Sequence, residues 1–353
     1  MKKLIDKLYK TQTLAPQELE LLIENINDEE LQYLHSKARE VANNVYGNRV
    51  FVRGLIEFTN ICKNNCYYCG IRAENKCVSR YRLTKEEILE CCENGYALGF
   101  RTFVLQGGED LYFDDDKMVD IISSIRNKYP DCAITLSIGE KSIDTYQKYF
   151  DAGADRYLLR HETADSEHYS KLHPENLTFE NRVECLKSLK QIGFQTGCGF
   201  MVGLPYQTTK TIVKDLIFIK EFEPEMVGIG PFLPHNDTPF KDFAAGSVRL
   251  TLMLLSIVRL MLPDVLLPAT TALNTADKGG RENGILAGAN VIMPNLSPES
   301  AKEKYILYNG KVSTGAESAE QIEKLKQDIN KIGYNIVCDR GDNKRFVKEK
   351  NYV

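Results

Sequence analysis

Long runs of like charge are missing from this sequence. Its 353 residues include 45 Lys and Arg and 49 Asp and Glu, a formal net charge of -4 with both signs interspersed. Nucleic-acid binding needs clustered cations, and nothing here steers the chain toward such a partner. A bilayer-length apolar run is missing too. The most apolar stretch, Thr251 to Leu262, contains Arg259 and stops at Pro263, short of the ~20 residues a transmembrane helix needs. The start, Met1-Lys2-Lys3, leads into a charged amphipathic segment instead of a secretory leader. Repeats and low-complexity linkers are likewise absent. These absences point to a soluble, cytoplasmic protein with a small substrate and no nucleic-acid or membrane partner, and a monomer is expected.

What is present is ample apolar material, 43% of residues. The length fits one (β/α)8 barrel of ~250 residues with extensions at both ends. Residues 1–45 read as helical, with Pro16 at a first-turn position and apolar Leu19, Leu22, Ile23 and Ile26; this segment is expected to cap the barrel. From Val50 onward, short apolar segments alternate with helical patterns, the signature of parallel strands joined by crossovers. Eight strands are predicted: Val50 to Asn60, Arg101 to Glu109, Ala133 to Gly139, Arg156 to Thr163, Gln195 to Gly203, Met226 to Pro234, Val265 to Ala272, and Ala289 to Asn295. Thr84 with Glu87 forms a capping box for the first crossover helix, and Ser318 with Gln321 forms another. The barrel then spans 46–300. In the extension 301–353 the basic end, Asp339 to Lys350, reads as a solvated tail.

Ten cysteines would suit a disulfide framework in a short secreted chain. In a long chain without a leader they indicate metal, catalysis or core filling. Cys62, Cys66 and Cys69 follow the first strand directly, and barrel active sites lie on loops at the C-terminal strand ends. Three soft thiolates suit iron-sulfur or zinc, and they leave a coordination position open, unlike a closed four-cysteine site. Zinc and unrelated structural cysteines remain open at this point. Cys91 and Cys92 are adjacent on a helix, and Cys77, Cys132, Cys185, Cys198 and Cys338 are scattered. They form no second ligand set and read mostly as core thiols.

Strand alternation is an independent test, because residues of equal parity share a face. Val52, Ile56 and Phe58 make an apolar row, which leaves Arg53 and Glu57 on the other. Ile134, Leu136 and Ile138 would meet the helices, which turns Thr135 and Ser137 inward. Gln106 points inward with Val104, and Arg160 and Glu162 share a parity. Ordinary barrels fill this space with branched apolar residues, and charges there are costly unless paired or liganded. A ligand cavity is expected, although Arg53-Glu57 and Arg160-Glu162 could also be self-satisfying ion pairs. Thr270, Thr271 and Met293 would line the same cavity. Tyr305 and Tyr308, three apart on an expected helical turn, either close it or simply pack. His161, of opposite parity, reads as structural.

Together, the Cys-x3-Cys-x2-Cys loop after the first strand, Tyr68 before its last cysteine, and Gly107-Gly108-Glu109 after the second strand resemble the radical S-adenosylmethionine (SAM) superfamily. The resemblance implies one four-iron four-sulfur (4Fe-4S) cluster on Cys62, Cys66 and Cys69, whose open iron binds SAM. It also implies reductive cleavage of SAM to methionine and a 5′-deoxyadenosyl radical. Gly107, Gly108 and Glu109 would receive the methionyl ammonium, the backbone around Tyr68 the adenine, and Arg160 and Glu162 the carboxylate and ribose.

Longer stretches narrow this. Gly47-Asn48-Arg49-Val50, Arg80-Tyr81-Arg82-Leu83-Thr84, Leu158-Leu159-Arg160-His161-Glu162-Thr163, Pro268-Ala269-Thr270-Thr271-Ala272 and Gly279-Gly280-Arg281-Glu282 resemble the FeFe-hydrogenase maturase HydE family. That family implies action on a cysteine-bearing iron carbonyl cyanide precursor of the two-iron subcluster, with transient contact to other hydrogenase maturases and an electron donor. For the cofactor it adds Arg182 and Met226. For the substrate cavity it implies Arg53, Gln106, Thr135, Thr270, Thr271, Met293, Tyr305 and Tyr308. The auxiliary cluster of some members has no cysteines at Lys311 to Ala316 here, so a single cluster is expected.

Methylornithine synthase shares the Gly-Asn-Arg-Val and Arg-Tyr-Arg-Leu-Thr segments and is the rival mutase. Biotin synthase fits less well, because its second cluster needs cysteines inside several strands. A non-catalytic iron-sulfur carrier is the rival of another class, and it would not need Gly107-Gly108-Glu109 or the Arg160-Glu162 pair.

Overall fold

In the computed structural model, residues 1–311 and 318–346 are described. Three helices come first: α1 (Lys2–Thr11), α2 (Pro16–Asn25) and α3 (Asp28–Tyr46). Pro16 opens α2, where a missing N–H costs nothing. Asn27 caps α3 by accepting the Glu30 N–H, while Glu30 reaches back to the Asn27 N–H. The barrel begins with β1 (Arg49–Val52), β2 (Gly54–Thr59), α4 (Lys85–Ala97), β3 (Thr102–Gly107), α5 (Asp115–Lys128) and β4 (Ala133–Ser137). It continues through α6 (Ile143–Asp151), β5 (Arg156–Leu158), α7 (Ser166–Leu172), α8 (Phe179–Ile192), β6 (Gln195–Val202), α9 (Thr209–Phe222) and β7 (Met226–Pro231). Then follow α10 (Val248–Met261), α11 (Thr271–Ala276), α12 (Gly280–Leu286), β8 (Val291–Ile292), α13 (Glu299–Lys302), α14 (Ile322–Lys331) and β9 (Asn335–Val337). No helix among the described residues is long and apolar enough to cross a membrane.

β2 through β7 form one parallel six-stranded sheet in chain order. Bridges continue it, from Met226 to Leu266, from Pro268 to Val291, and from Asn295 back to Leu55. The ring thus closes as an eight-stave barrel, although its seventh and eighth staves shrink below the predicted strands. Pro268 and Pro294 lack the N–H that a ladder needs, and Thr271 already opens α11. The predicted strand Val50 to Asn60 is also two strands. The amides of Phe51, Arg53 and Leu55 all bond to the eighth stave. On the other side the partner changes from β9 to β3 at Arg53, and the sheet assignment breaks there.

The outward rows are as expected: Val52, Ile56, Phe58, Ile134, Leu136 and Ile138 are buried in the main core cluster. Three other expectations change. Helices α1 to α3 pack on the barrel's flank, α3 against α10 and α12 and α2 against α9, instead of covering its mouth. Ser318 caps nothing; a 3-10 turn, Ala319–Gln321, precedes α14, and the Ser318 hydroxyl is taken by Lys302 and Glu320. The C-terminal end is no solvated tail as far as Phe346, since Asn343 is fully buried and Arg340 and Asp342 pair with Asp155 and Arg156. Val312 to Ala316, in the segment without auxiliary-cluster cysteines, and Val347 to Lys350 lie outside the described residues.

Candidate active site

β2 delivers its chain end to the barrel mouth, and the loop that follows has no regular structure, so its polar backbone needs other partners. Arg80 supplies many of them, donating to the carbonyls of Asn60, Ile71, Arg72 and Asn75 at 2.6 to 3.0 Å. Buried Asn60 donates to Ser79 and Lys304 carbonyls and accepts the Tyr81 N–H. Cys62, Cys66 and Cys69 are free, half-buried thiols on this frame. Burial pushes all three up, Cys69 to about 12, and for Cys66 and Cys69 the neighbouring cysteines add to it. A metal would strip those protons on binding. The Cys62 Sγ already accepts the Glu109 N–H at 3.4 Å. No three His, Cys, Asp or Glu among the described residues converge on one ion; a cube takes each thiolate on a different iron. By donor type, three soft thiols carried on one frame, the loop fits a three-thiolate cluster.

The turn after β3 presses directly on this loop. A Cβ on Gly108 would lie 2.2 Å from the Ile61 carbonyl oxygen and 2.7 Å from the Cys62 Cβ, so only glycine fits. Glu109 is engaged, with Oε2 3.2 Å from Lys63 Nζ and Oε1 accepting the Glu140 N–H. Its neighbour Asp110, which sequence reasoning missed, accepts from Thr59 and is gripped bidentately by Arg82 at 2.7 and 2.9 Å. The charged Arg-Tyr-Arg run was its available signal. Gly108→Ala is expected to cost about 1–3 kcal/mol of local packing and to lower iron retention at least about tenfold. Iron per chain after anaerobic reconstitution checks this.

Past β5, Arg160 and Glu162 do form the ion pair, Nε to Oε1 at 3.2 Å. Glu162 has φ 64, a left-handed backbone that is strained for a non-glycine. Its other oxygen, Oε2, is buried without a partner. Arg182 stands beside them, donating to the Arg160 carbonyl at 2.9 Å and to Glu140 Oε1 at 2.6 Å. The Tyr68 hydroxyl lies 3.0 Å from His173 Nε2. His161 accepts the Gly199 N–H and sits 3.4 Å from Asp215 inside the core.

The remaining candidates divide between the two ends of the lumen. Near the mouth, Gln106 donates to the Tyr305 hydroxyl at 3.4 Å. Tyr305 and Tyr308 lie on an irregular segment, not on a helix. Thr270 caps α11 and packs over Gly230, whose Cβ would come within 2.7 Å of its Oγ1. Thr271 opens that helix, whereas Met293 belongs to the far end, packed against the cluster of Met226, Leu266 and Val291. At the far end, Met226 is the first residue of β7, a strand's length from the cysteines, and its Sδ accepts from Arg53 Nη1 at 3.0 Å. The structure places it with Arg53, apart from the other cofactor candidates. Arg53 is not paired with Glu57; Glu57 instead meets Lys311 at 2.5 Å and Asn295 at 2.8 Å. Arg53 Nε and Nη2 and Thr135 Oγ1 are buried with no partner. Sequence reasoning also missed the glycines: Gly197, Gly228 and Gly230 share the inward parity of Met226. Neighbouring side chains use the room they leave, Leu158 and Met226 over Gly197 and Thr270 over Gly230, while a Cβ on Gly228 would make only ordinary contact, at 3.9 Å.

A Radical SAM superfamily model matches residues 56–219. The chain is 44% identical over 322 residues to the FeFe hydrogenase maturase subunit HydE of Thermotoga maritima, covering 91% of this chain and 92% of that one. It is 32% identical to the 3-methylornithine synthase of Methanosarcina acetivorans over 86% of each. The crystal structure of methylornithine synthase (PylB) superposes with a TM-score of 0.85 at 28% identity, covering 99% of this chain and 100% of that one. HydG, a maturase of the FeFe-hydrogenase, shares the fold at TM-score 0.82 and 20% identity, covering 99% and 80%. With its three-cysteine loop at the mouth of a parallel barrel, this chain belongs to the radical SAM superfamily and, within it, to the HydE maturase family.

Proposed function

We propose that this radical SAM enzyme serves FeFe-hydrogenase maturation in the cytoplasm, by acting on a cysteine-bearing iron carbonyl cyanide precursor held in the barrel lumen. The observation that carries this reading is the unpartnered Arg53 Nε and Nη2 and Thr135 Oγ1, donors buried in a lumen with a glycine wall. A guanidinium stays protonated, and an uncompensated buried one is costly unless a ligand supplies the acceptor. Cyanide nitrogens and a cysteine carboxylate are such acceptors.

When bound, the cluster and SAM supply a 5′-deoxyadenosyl radical by reductive cleavage of the sulfonium. The chain's own residues do the rest. Cys62, Cys66 and Cys69 would hold the cluster, and the Glu109 N–H toward Cys62 steadies its sulfur. Glu162 Oε2 offers a free acceptor to a ribose hydroxyl, with Arg160 and Arg182 held beside it. Gln106, Tyr305, Thr270 and Thr271 line the path between the mouth and Arg53.

Arg53→Met tests the reading. Losing hydrogen bonds to a charged group, worth about 1.5–3 kcal/mol, is expected to raise KM for the cysteine-bearing iron carbonyl cyanide precursor roughly 10- to 100-fold. Removing an unpaired buried cation is expected at the same time to make the free protein more stable in urea. A loss of stability with unchanged KM would assign Arg53 a structural role and sink the reading.

Methylornithine synthesis is the second reading, favoured by the 32% identity and the shared fold. Lysine would need a carboxylate for its ammonium, and lumen-facing Glu57 is already taken by Lys311. Turnover of lysine would decide for the mutase.

A further inference from the structure

The last described residues cross the barrel at the end opposite the cysteines. Arg340 Nη1 donates to the Cys132 carbonyl, and its Nη2 meets Asp155 at 2.8 Å. Asp342 accepts from Gln195 Nε2 at 2.7 Å, and Asn343 returns its N–H to Gln195 Oε1 at 2.9 Å. The Asn343 side chain donates to the carbonyls of Glu225 and Asp264. These partners are the starts of β4, β5, β6, β7 and the seventh stave, so the segment binds the barrel's N-terminal rim stave by stave. Such a pattern satisfies edge groups that water would otherwise reach.

Arg156 connects this strap to the lumen. It is fully buried and shares a register level with Thr135 and Gln195. Its Nη1 donates to Thr102 Oγ1 at 3.2 Å and its Nη2 meets Asp342 Oδ1 at 2.6 Å. Burial pushes the Asp342 carboxyl up, but Arg156, Gln195 and Arg340 outweigh it and hold it well below the usual carboxylate range. Arg53 feels the same pair: after burial itself, Arg156 disfavours its charge and Asp342 favours it.

We infer that residues 339–346 are the floor of the reaction chamber, and that Asp342 is a positioning residue that holds the Arg156 guanidinium down and away from the ligand of Arg53. The second half rests on the lumen reading above. With Asp342 in place, Arg156 has its carboxylate and Arg53 keeps its free N–H groups for an anion. Without it, two buried cations compete for one ligand, and the substrate settles in the wrong place.

Hydrogen exchange on the cluster-loaded chain tests the floor. Ending the chain at Cys338 is expected to speed exchange of the Thr102, Arg156 and Gln195 amides at least about tenfold, with the Cys62 to Cys69 loop unchanged. Gln195→Glu keeps the full chain, sets a carboxylate against Asp342 and should give the same pattern, so the result does not depend on the truncated chain folding. Amides as slow as in the unaltered protein in either variant would overturn the floor.

The positioning role is read in product formed per 5′-deoxyadenosine. Asp342→Asn is expected to lower this ratio roughly tenfold, and Asp342→Glu to recover part of it. Equal ratios in all three chains would overturn the positioning role. If Arg53→Met also leaves turnover untouched, the lumen reading fails instead, and the exchange result still judges the floor.

Discussion

Cys66→Ala is expected to leave the chain almost without iron after anaerobic reconstitution, and 5′-deoxyadenosine formation is expected to fall with it. Losing an outer-sphere hydrogen bond already costs a metal site about 10- to 100-fold in affinity. Removing one of three thiolates from a cluster that has no fourth protein ligand must cost at least about 100-fold. The neighbouring residues sharpen the expectation. Cys77 and Cys338 are exposed, and Cys91, Cys92, Cys132, Cys185 and Cys198 are buried in apolar surroundings. Cys77→Ala lies only eight positions past Cys69, on the same loop, and should keep its iron. Iron and sulfide analysis with electron paramagnetic resonance of the reduced protein separates the two. A full cluster signal in Cys66→Ala would remove the ligand assignment, and loss of iron in Cys77→Ala would show that the loop, not its thiolates, sets retention.

What the sequence made legible was local. The cysteine loop, the Gly107-Gly108-Glu109 turn and the alternation in β4 each sit within a few residues, so spacing and parity reveal them. Pairings across the chain were not legible. Glu57 seemed matched to Arg53, four residues away, yet its partner is Lys311, 254 positions on. Residues 339–346 looked like a polar tail because their partners, the strand starts of the barrel, are spread from Cys132 to Asp264. The helices of residues 1–45 were readable as helices, but amphipathic periodicity says that a face is buried and not against what. The glycine positions of β6 and β7 were hidden for another reason. Gly197, Gly228 and Gly230 carry no hydropathy signal, and which side chains fill the room they leave is known only once their neighbours are.

The Glu57–Lys311 pair is where that hidden pairing matters most for stability. Their side chains are 1% and 6% exposed, with Nζ 2.5 Å from Oε1. Asn295 satisfies the other carboxylate oxygen at 2.8 Å, and Lys311 also donates to the Tyr305 carbonyl at 2.9 Å. Through these bonds the pair ties β2 to the eighth stave and to the loop carrying Tyr305. Lys311→Met strands a buried carboxylate and is expected to cost about 3–5 kcal/mol. Glu57→Leu strands the ammonium to a similar degree. The double variant replaces both charges with apolar groups and should recover most of the loss, because a buried ion pair pays desolvation for its attraction. Urea unfolding of the four chains gives the coupling, expected to exceed the roughly 0.5–3 kcal/mol usual for contacting residues, because each single variant strands a buried charge and the double variant strands none. Lys311→Met should also release Tyr305 from its place beside Gln106 and so raise KM for the lumen substrate. The double variant, stable but without Lys311, should share that defect. If it recovered both stability and KM, Tyr305 would be held by packing alone, and the pair would have no part in shaping the chamber.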